Sequence, residues 1–178
     1  MSITRSIVAL RLNGVLRRIG LPILLATVTV FLDVLTKVLA ESSLDLHEPV
    51  TIFGDVARLT LGYNTGVAFG MFRDGGVLLL IMTAVMIVGL ATLLMAGPRA
   101  GITPLAARAL GLMLGGAIAN FMDRWVDGRV TDFLDFGLGA LRWPTFNLAD
   151  SIIVLGVLMI LLVTIVPQAL DDPSEARA

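Results

Sequence analysis

The stretch GVLLLIMTAVMIVGLATLLMA, residues 76–96, contains no charged side chain. A helix of roughly 20 apolar residues is long enough to cross the hydrocarbon core of a bilayer. Only helices and closed barrels satisfy their backbone hydrogen bonds inside lipid, so an apolar run of this length predicts a transmembrane helix. This one segment therefore indicates an integral membrane protein.

Three more apolar segments flank it, at about residues 20–40, 104–122 and 148–166. Of the 178 residues, 57% are hydrophobic and 15% are charged, whereas a soluble domain carries about 25% charged residues. The pattern predicts an all-α integral membrane protein with four transmembrane helices. We expect one membrane-embedded domain over residues 1–170 and a flexible cytoplasmic tail over residues 171–178.

The arginines indicate the orientation of these spans. Four of them precede the first span without any acidic residue, and Arg99 lies in the short loop between spans two and three. By the positive-inside rule both termini then face the cytoplasm, and the loops 41–75 and 123–147 face outward. A cleaved signal peptide ending at Ala40 is the alternative, but Asp33 and Lys37 interrupt its apolar segment.

The first outer loop contains the partly alternating stretch VTIFGDVARLTLGYNTGVAFGMF, residues 50–72. Its β-branched and aromatic residues are typical of strands, and Gly54, Asn64 and Gly66 are typical turn residues. We therefore expect two or three short strands that form a small β-sheet in this loop, on the outer membrane surface.

Polar side chains from separate spans collect at one depth of the predicted bundle, in its outer half. Ionisable groups inside spans are costly, so such a cluster indicates a functional site. Asp33 and Lys37 share one face of the first helix, four residues apart. The others lie at the outer ends of spans three and four or in the outer loops: Asn64, Asn120, Asp123, Arg124, Asp132, Asn147 and Asp150.

Structural explanations exist for part of this cluster. Asp33 and Lys37 form an ion pair in one interpretation, which would fix the register of the helix. Asp123 and Arg124 are expected to form a salt bridge at the end of span three. Asn64 is also explained as a turn residue. We assign no role to Asp135 from the sequence.

Asp132 and Asp150 are harder to explain structurally. Asp150 lies a few residues inside an apolar span, and Asp132 lies among the apolar residues of VTDFLDF. Two carboxyl groups in a low-dielectric site do not both ionise easily, so they share a proton. Aspartic proteases obtain their acid and their base in this way.

Composition excludes several other functions. The chain has no cysteine and a single histidine, His47, which excludes thiolate nucleophiles and HExxH-type zinc sites. A net charge of −1 provides no basic surface for nucleic acid. We expect neither a metal nor another cofactor.

Five blocks of the sequence together resemble bacterial lipoprotein signal peptidase (signal peptidase II). They are LDVLTK (32–37), YNTGVAFG (63–70), GGAIANFMDR (115–124), VTDFLDF (130–136) and FNLADS (146–151). The resemblance implies an aspartic endopeptidase of the bacterial inner membrane, with its active site at the periplasmic face. Its substrates would be diacylglyceryl-prolipoproteins, cut before the lipidated cysteine, and it would contact membrane lipid. Independently of the resemblance, a monomer is the simplest expectation.

The resemblance also implies roles for individual residues. Asp132 and Asp150 would be the catalytic pair, although pairing Asp123 with Asp150 is a competing assignment. Supporting or substrate-binding roles would fall to Asp33, Lys37, Asn64, Gly66, Asn120, Asp123, Arg124 and Asn147. The chain departs from the family pattern at Val67, Gly70 and Ala119, and an alanine at 119 instead of glycine raises the question of how closely span three packs.

Two other functions remain as alternatives. Lys37 could serve as the general base for a serine at position 42, 43 or 151, but Asp33 favours the charged form of Lys37. A proton- or ion-coupled carrier would need polar groups along the whole depth of the membrane. Here the polar groups stop at the outer half, which favours the peptidase.

Overall fold

The computed structural model describes residues 3–66 and 76–166. Within them lie four α-helices, α1 (Ile3–Ser43), α2 (Gly76–Ala96), α3 (Pro104–Asp127) and α4 (Leu148–Ile165), and a short 3₁₀ helix at Gly97–Ala100. Each α-helix contains a segment long and apolar enough to cross a membrane, so the prediction of four such helices is confirmed. The predicted tail, residues 171–178, lies outside the described residues.

Two helices extend beyond their predicted spans. α1 begins at Ile3 rather than near residue 20. α3 continues past residue 122 to Asp127, because the chain first adopts a left-handed conformation at Gly128, with φ 68°. A glycine reaches that conformation without steric cost, and its N–H donates to the carbonyl of Arg124.

A four-stranded antiparallel sheet has the order β1 (Val50–Phe53), β2 (Ala57–Asn64), β3 (Val130–Leu138) and β4 (Leu141–Arg142). The predicted strands in the loop after the first span are confirmed for β1 and β2, and the sheet also includes β3 and β4 from the loop between α3 and α4, which the sequence did not indicate. β2 pairs with β3 across a large separation in sequence, and no local pattern indicates that pairing. A third strand in residues 67–72 would lie outside the described residues.

Helix α3 packs against all three other α-helices. Small residues allow backbones to approach closely in such bundles. Gly111 lies against the backbone of Pro22 in α1, and Gly115 lies against Ala26. Ala119 is fully buried. An alanine at this position, instead of a glycine, therefore does not prevent α3 from packing closely.

The Gly115→Ala variant is expected to lose about 1–3 kcal/mol of stability, the usual cost of overpacking. An added Cβ would lie 2.5 Å from the carbonyl oxygen of Ala26 and 2.8 Å from its Cα, and backbone atoms cannot rotate away. Thermal unfolding in detergent measures the loss. Gly89→Ala is the matched control, because a Cβ at Gly89 in α2 meets nothing within 4 Å; equal stability of the two variants would contradict the prediction.

Candidate active site

The first turn of α4 positions Asp150. Asn147 is the N-cap residue, and its side-chain oxygen accepts a hydrogen bond from the Asp150 backbone N–H at 2.9 Å. In return, Oδ2 of Asp150 accepts from the Asn147 backbone N–H at 3.3 Å. This reciprocal capping box holds the carboxylate at the positive end of the helix dipole, which stabilises its anionic form.

Strand β3 carries Asp132 to the same place. Asp132 is 2% exposed, and its Oδ1 accepts from Nδ2 of Asn147 at 2.8 Å. Its Oδ2 accepts from Nδ2 of Asn64, the last residue of β2, at 3.1 Å. Asn147 therefore hydrogen-bonds with both aspartates, through its side chain to Asp132 and through its backbone and side chain to Asp150.

Asn120 in α3 connects Asp150 to a buried lysine. Its Nδ2 donates to Oδ1 of Asp150 at 2.8 Å. Its Oδ1 accepts from Nδ2 of Asn147 and from Nζ of Lys37, both at 3.1 Å. Because an amide oxygen only accepts and an amide nitrogen only donates, the Lys37 ammonium and the Asn147 amide together orient the Asn120 NH₂ group towards Asp150.

Lys37 lies between two carboxylates. Its Nζ is 2.5 Å from Oδ2 of Asp33 and 2.7 Å from Oδ2 of Asp123. The predicted ion pair within the first helix is thus confirmed. Asp33 has a second contact, since its Oδ1 accepts from the Ala149 backbone N–H at 2.7 Å. The carboxylate of Asp33, in α1, therefore caps the first turn of α4 from a different helix.

The predicted salt bridge between Asp123 and Arg124 is wrong. Consecutive side chains on a helix do not face each other: Asp123 turns towards Lys37, while Nη2 of Arg124 donates to the Gly66 carbonyl at 3.0 Å. The Gly66 N–H in turn donates to Oδ1 of Asn64 at 2.9 Å. Asn64 is thus a turn residue and a hydrogen-bond partner of Asp132 at once.

Two contacts of the site were missed from sequence. The Thr131 carbonyl accepts from Nδ2 of Asn147 at 3.3 Å, and the Thr131 hydroxyl donates to Oε1 of Glu41 at 2.6 Å. Thr131 lies inside the VTDFLDF block and is buried. Glu41 lies among polar residues at the end of α1, where nothing in the sequence distinguishes it from a solvated acid.

Burial and a neighbouring charge change the acidity of Asp132. Burial is the main cause, and with the negative charge of Asp150 it raises the pKa of Asp132 to about 7, although hydrogen bonds from Asn64 and Asn147 oppose the shift. Asp132 therefore retains its proton close to neutral pH.

Among the described residues, no group of three His, Asp or Glu is arranged to hold a metal ion.

This pKa predicts a pH-dependent stability. Because the pKa of Asp132 is about 7 in the folded chain and 3.8 for an ordinary aspartate, the folded state holds an additional proton between these values. Its stability therefore falls as pH rises from about 4 to 7, and each pKa unit corresponds to about 1.4 kcal/mol. Unfolding of wild type and Asp132→Asn, compared across this range, should show a steeper fall in wild type; parallel curves would contradict it.

The geometry also bears on the alternative assignments. Lys37 is surrounded by Asp33, Asp123 and Asn120, and the Ser151 hydroxyl donates to the Asn147 carbonyl rather than contacting Lys37. The Ser42 hydroxyl donates to the Leu39 carbonyl at 3.0 Å, so a pairing of Lys37 with Ser151 or Ser42 finds no support. Asp123 is the partner of Lys37, whereas Asp132 shares Asn147 with Asp150, which favours Asp132 over Asp123 as the partner of Asp150.

Known proteins resemble this chain over most of its length. Residues 25–166 match the family model described as signal peptidase (SPase) II. A lipoprotein signal peptidase of Brevibacillus brevis is 39% identical over 140 residues, covering 78% of this chain and 91% of the relative. One from Gloeobacter violaceus is 39% identical over 154 residues, covering 86% of each chain.

The fold has solved counterparts. A bacterial membrane enzyme determined by the in meso method superimposes with a TM-score of 0.76 at 25% identity, covering 87% of this chain and 93% of that one. A second such enzyme gives a TM-score of 0.71 at 26% identity, covering 86% of this chain and 96% of that one. The family match, the relatives and the multi-pass membrane fold all agree: this chain belongs to the signal peptidase II family.

Proposed function

We propose that this chain is an aspartic endopeptidase that removes the signal peptide from diacylglyceryl-modified prolipoproteins by cleaving before the lipidated cysteine. The observation that carries the proposal is that Asn147 contacts both Asp132 and Asp150. Its Nδ2 donates to Oδ1 of Asp132 at 2.8 Å, and it forms the capping box with Asp150. Membership of the signal peptidase II family supports the reaction and the class of substrate.

The two aspartates have different environments, which supports different roles. Asp150 lies at the N-terminus of α4, where the helix dipole favours an anion, so it acts as the base. Asp132 holds a proton up to a pKa of about 7, so it acts as the acid. A carboxyl group kept protonated near neutral pH is suited to donating that proton.

In the proposed reaction Asp150 takes a proton from water, and the water oxygen attacks the carbonyl carbon of the scissile peptide bond. Asp132 gives its proton to the departing nitrogen as the carbon–nitrogen bond breaks. The products are the free carboxyl end of the signal peptide and the free amino group of the lipidated cysteine. The proton taken up by Asp150 returns to Asp132 or to solvent before the next cycle.

The neighbouring polar residues hold this pair in place. Asn120 and Asn147 orient the two carboxyl groups through their side-chain amides. Arg124 and Asn64 lie beside Gly66, where the first interhelical loop approaches the site, and they are positioned to bind substrate carbonyl groups. We infer that the ionic cluster of the buried Asp33 and Lys37 and the half-buried Asp123 supports the first turn of α4.

We place the enzyme in the bacterial inner membrane as a monomer, with the site at the periplasmic face. The arginine distribution of the sequence supports this orientation. The substrate helix and its acyl chains would enter sideways from the bilayer, since irregular backbone is tolerated at membrane depth only inside protein or a wet cavity.

A processing assay with the purified protein in detergent tests the proposal. We expect it to process a precursor whose cysteine carries diacylglycerol and to leave the same precursor without lipid uncut. Mass spectrometry should locate the new N-terminus at the lipidated cysteine. Cleavage at another peptide bond, or equal processing of both precursors, would show that the proposed specificity is wrong.

A further inference from the structure

The end of the sheet remote from Asp132 exposes large apolar side chains. It is formed by the turn between β1 and β2 and by the turn between β3 and β4, and we call it the apolar sheet end. Leu141 is 83% exposed, Phe53 73%, Leu138 67% and Trp143 60%. Val56 and Phe136 are exposed beside them.

The two turns form one continuous surface. The Gly137 N–H donates to the Val56 carbonyl at 3.0 Å. The Gly139 N–H donates to Oδ2 of Asp55 at 2.6 Å. Because these bonds join the first interhelical loop to the loop between α3 and α4, the apolar side chains of both turns lie on the same end of the sheet.

The charged residues of this region pair with one another. Nε of Arg142 lies 2.6 Å from Oδ1 of the buried Asp135, and its Nη1 donates to the Asp55 carbonyl at 2.8 Å. Arg58 forms an ion pair with Asp55. Two acids and two arginines thus compensate each other's charge, and the 48% exposed side chain of Asp55 lies beside the apolar side chains as one member of these pairs.

The position of the sheet relative to the helices indicates which environment contacts the apolar sheet end. β4, at the apolar sheet end, is followed six residues later by the first residue of α4. Six residues span at most about 20 Å, so the end of β4 lies within that distance of the start of a membrane-spanning helix. Contiguous exposed apolar surface marks an interaction site. Tryptophan, phenylalanine and leucine without net charge are suited to the boundary between lipid headgroups and acyl chains.

We propose that the apolar sheet end inserts into the interfacial layer of the bilayer and forms a membrane contact additional to the four helices. β3 connects this contact rigidly to Asp132, roughly six residues and about 20 Å away along the strand. Insertion therefore holds the Asp132 carboxyl group at a constant height relative to the lipid surface. That consequence rests on the proposed function, whereas the membrane contact does not.

A single cysteine tests the contact directly, because the chain contains none. A spin label is attached to Leu141→Cys and, as a matched control, to Glu48→Cys in the exposed segment between α1 and β1. In phospholipid vesicles, the collision ratio of oxygen to a water-soluble nickel complex should be several times higher at position 141. Equal ratios at the two positions would overturn the proposal.

The same label distinguishes lipid from a protein partner. Shielding of position 141 from both oxygen and nickel, or spin–spin broadening between labelled chains, would show a protein or a second copy on this surface and would overturn the proposal. These measurements need no activity, so they remain decisive if the proposed peptidase reaction is wrong.

A double variant, Leu138→Asp/Leu141→Asp, tests the consequence for height. We expect a several-fold lower processing rate for precursor embedded in vesicles and an unchanged rate for precursor in detergent. An equal loss in both environments would contradict a role that depends on the bilayer. Unfolding of the variant in detergent, expected to match wild type, accompanies both assays.

Discussion

Asp132→Asn and Asp150→Asn, made separately, are each expected to lower the rate of prolipoprotein processing by about 100- to 10,000-fold, the usual contribution of general acid–base catalysis. Asparagine keeps the size of the side chain but can neither take a proton from water nor give one to the leaving nitrogen. Initial rates with a diacylglyceryl-modified precursor in detergent measure the loss.

Asp127→Asn is the matched control for these variants. It removes the same charge from the exposed last residue of α3 and should leave the rate unchanged. Each variant must also remain folded under the assay conditions, so that a loss of rate reflects chemistry. Full activity of Asp132→Asn together with an inactive Asp123→Asn would replace our pair by the competing one.

Lys37→Met is expected to destabilise the chain by about 3–5 kcal/mol, the usual cost of removing one partner of a buried ion pair. Methionine retains the length of the side chain but leaves Asp33, which is fully buried, and Asp123 without their cation. It also removes one of the two donors to Oδ1 of Asn120. Thermal and denaturant unfolding in detergent measure the change.

The double variant Asp33→Asn/Lys37→Met isolates the ionic part of this effect. The neutral amide introduced at position 33 still offers an oxygen to the Ala149 N–H but needs no cation, so part of the lost stability should return. Residues in direct contact are expected to couple in this way. Additive losses in the double variant would indicate that Lys37 acts through packing rather than charge.

Much of the candidate site follows from sequence because the depth of a residue in a spanning helix depends on its position along that helix. Asp33, Lys37 and Asn120 were expected at one level, and the structure brings them into one hydrogen-bonded network. The hydrogen-bond and ion-pair partners of these residues were harder to predict from the sequence. Asp123 pairs with Lys37 of another helix, since the rotation of α3 about its axis directs neighbouring side chains to different elements.

The strand that carries Asp132 illustrates the same limit. VTDFLDF was recognisable as a candidate catalytic block, yet its place in the sheet was missed. β3 becomes a strand by pairing with β2, where Asp132 lies opposite Gly62. Asp135 could not be assigned from sequence, and its partners Arg142 and Thr60 come from two different strands.

By itself the sequence determines that four helices are apolar enough to cross a membrane and that the polar residues cluster in one half of them. Both properties are local, because lipid requires each spanning segment to be apolar and to satisfy its own backbone. Only the tertiary structure decides that Asn147 joins Asp132 to Asp150, that Lys37 joins Asp33 to Asp123, and that two loops share one sheet. These contacts connect residues far apart in the chain, and helix rotation and strand register, which set them, arise only when the elements pack together.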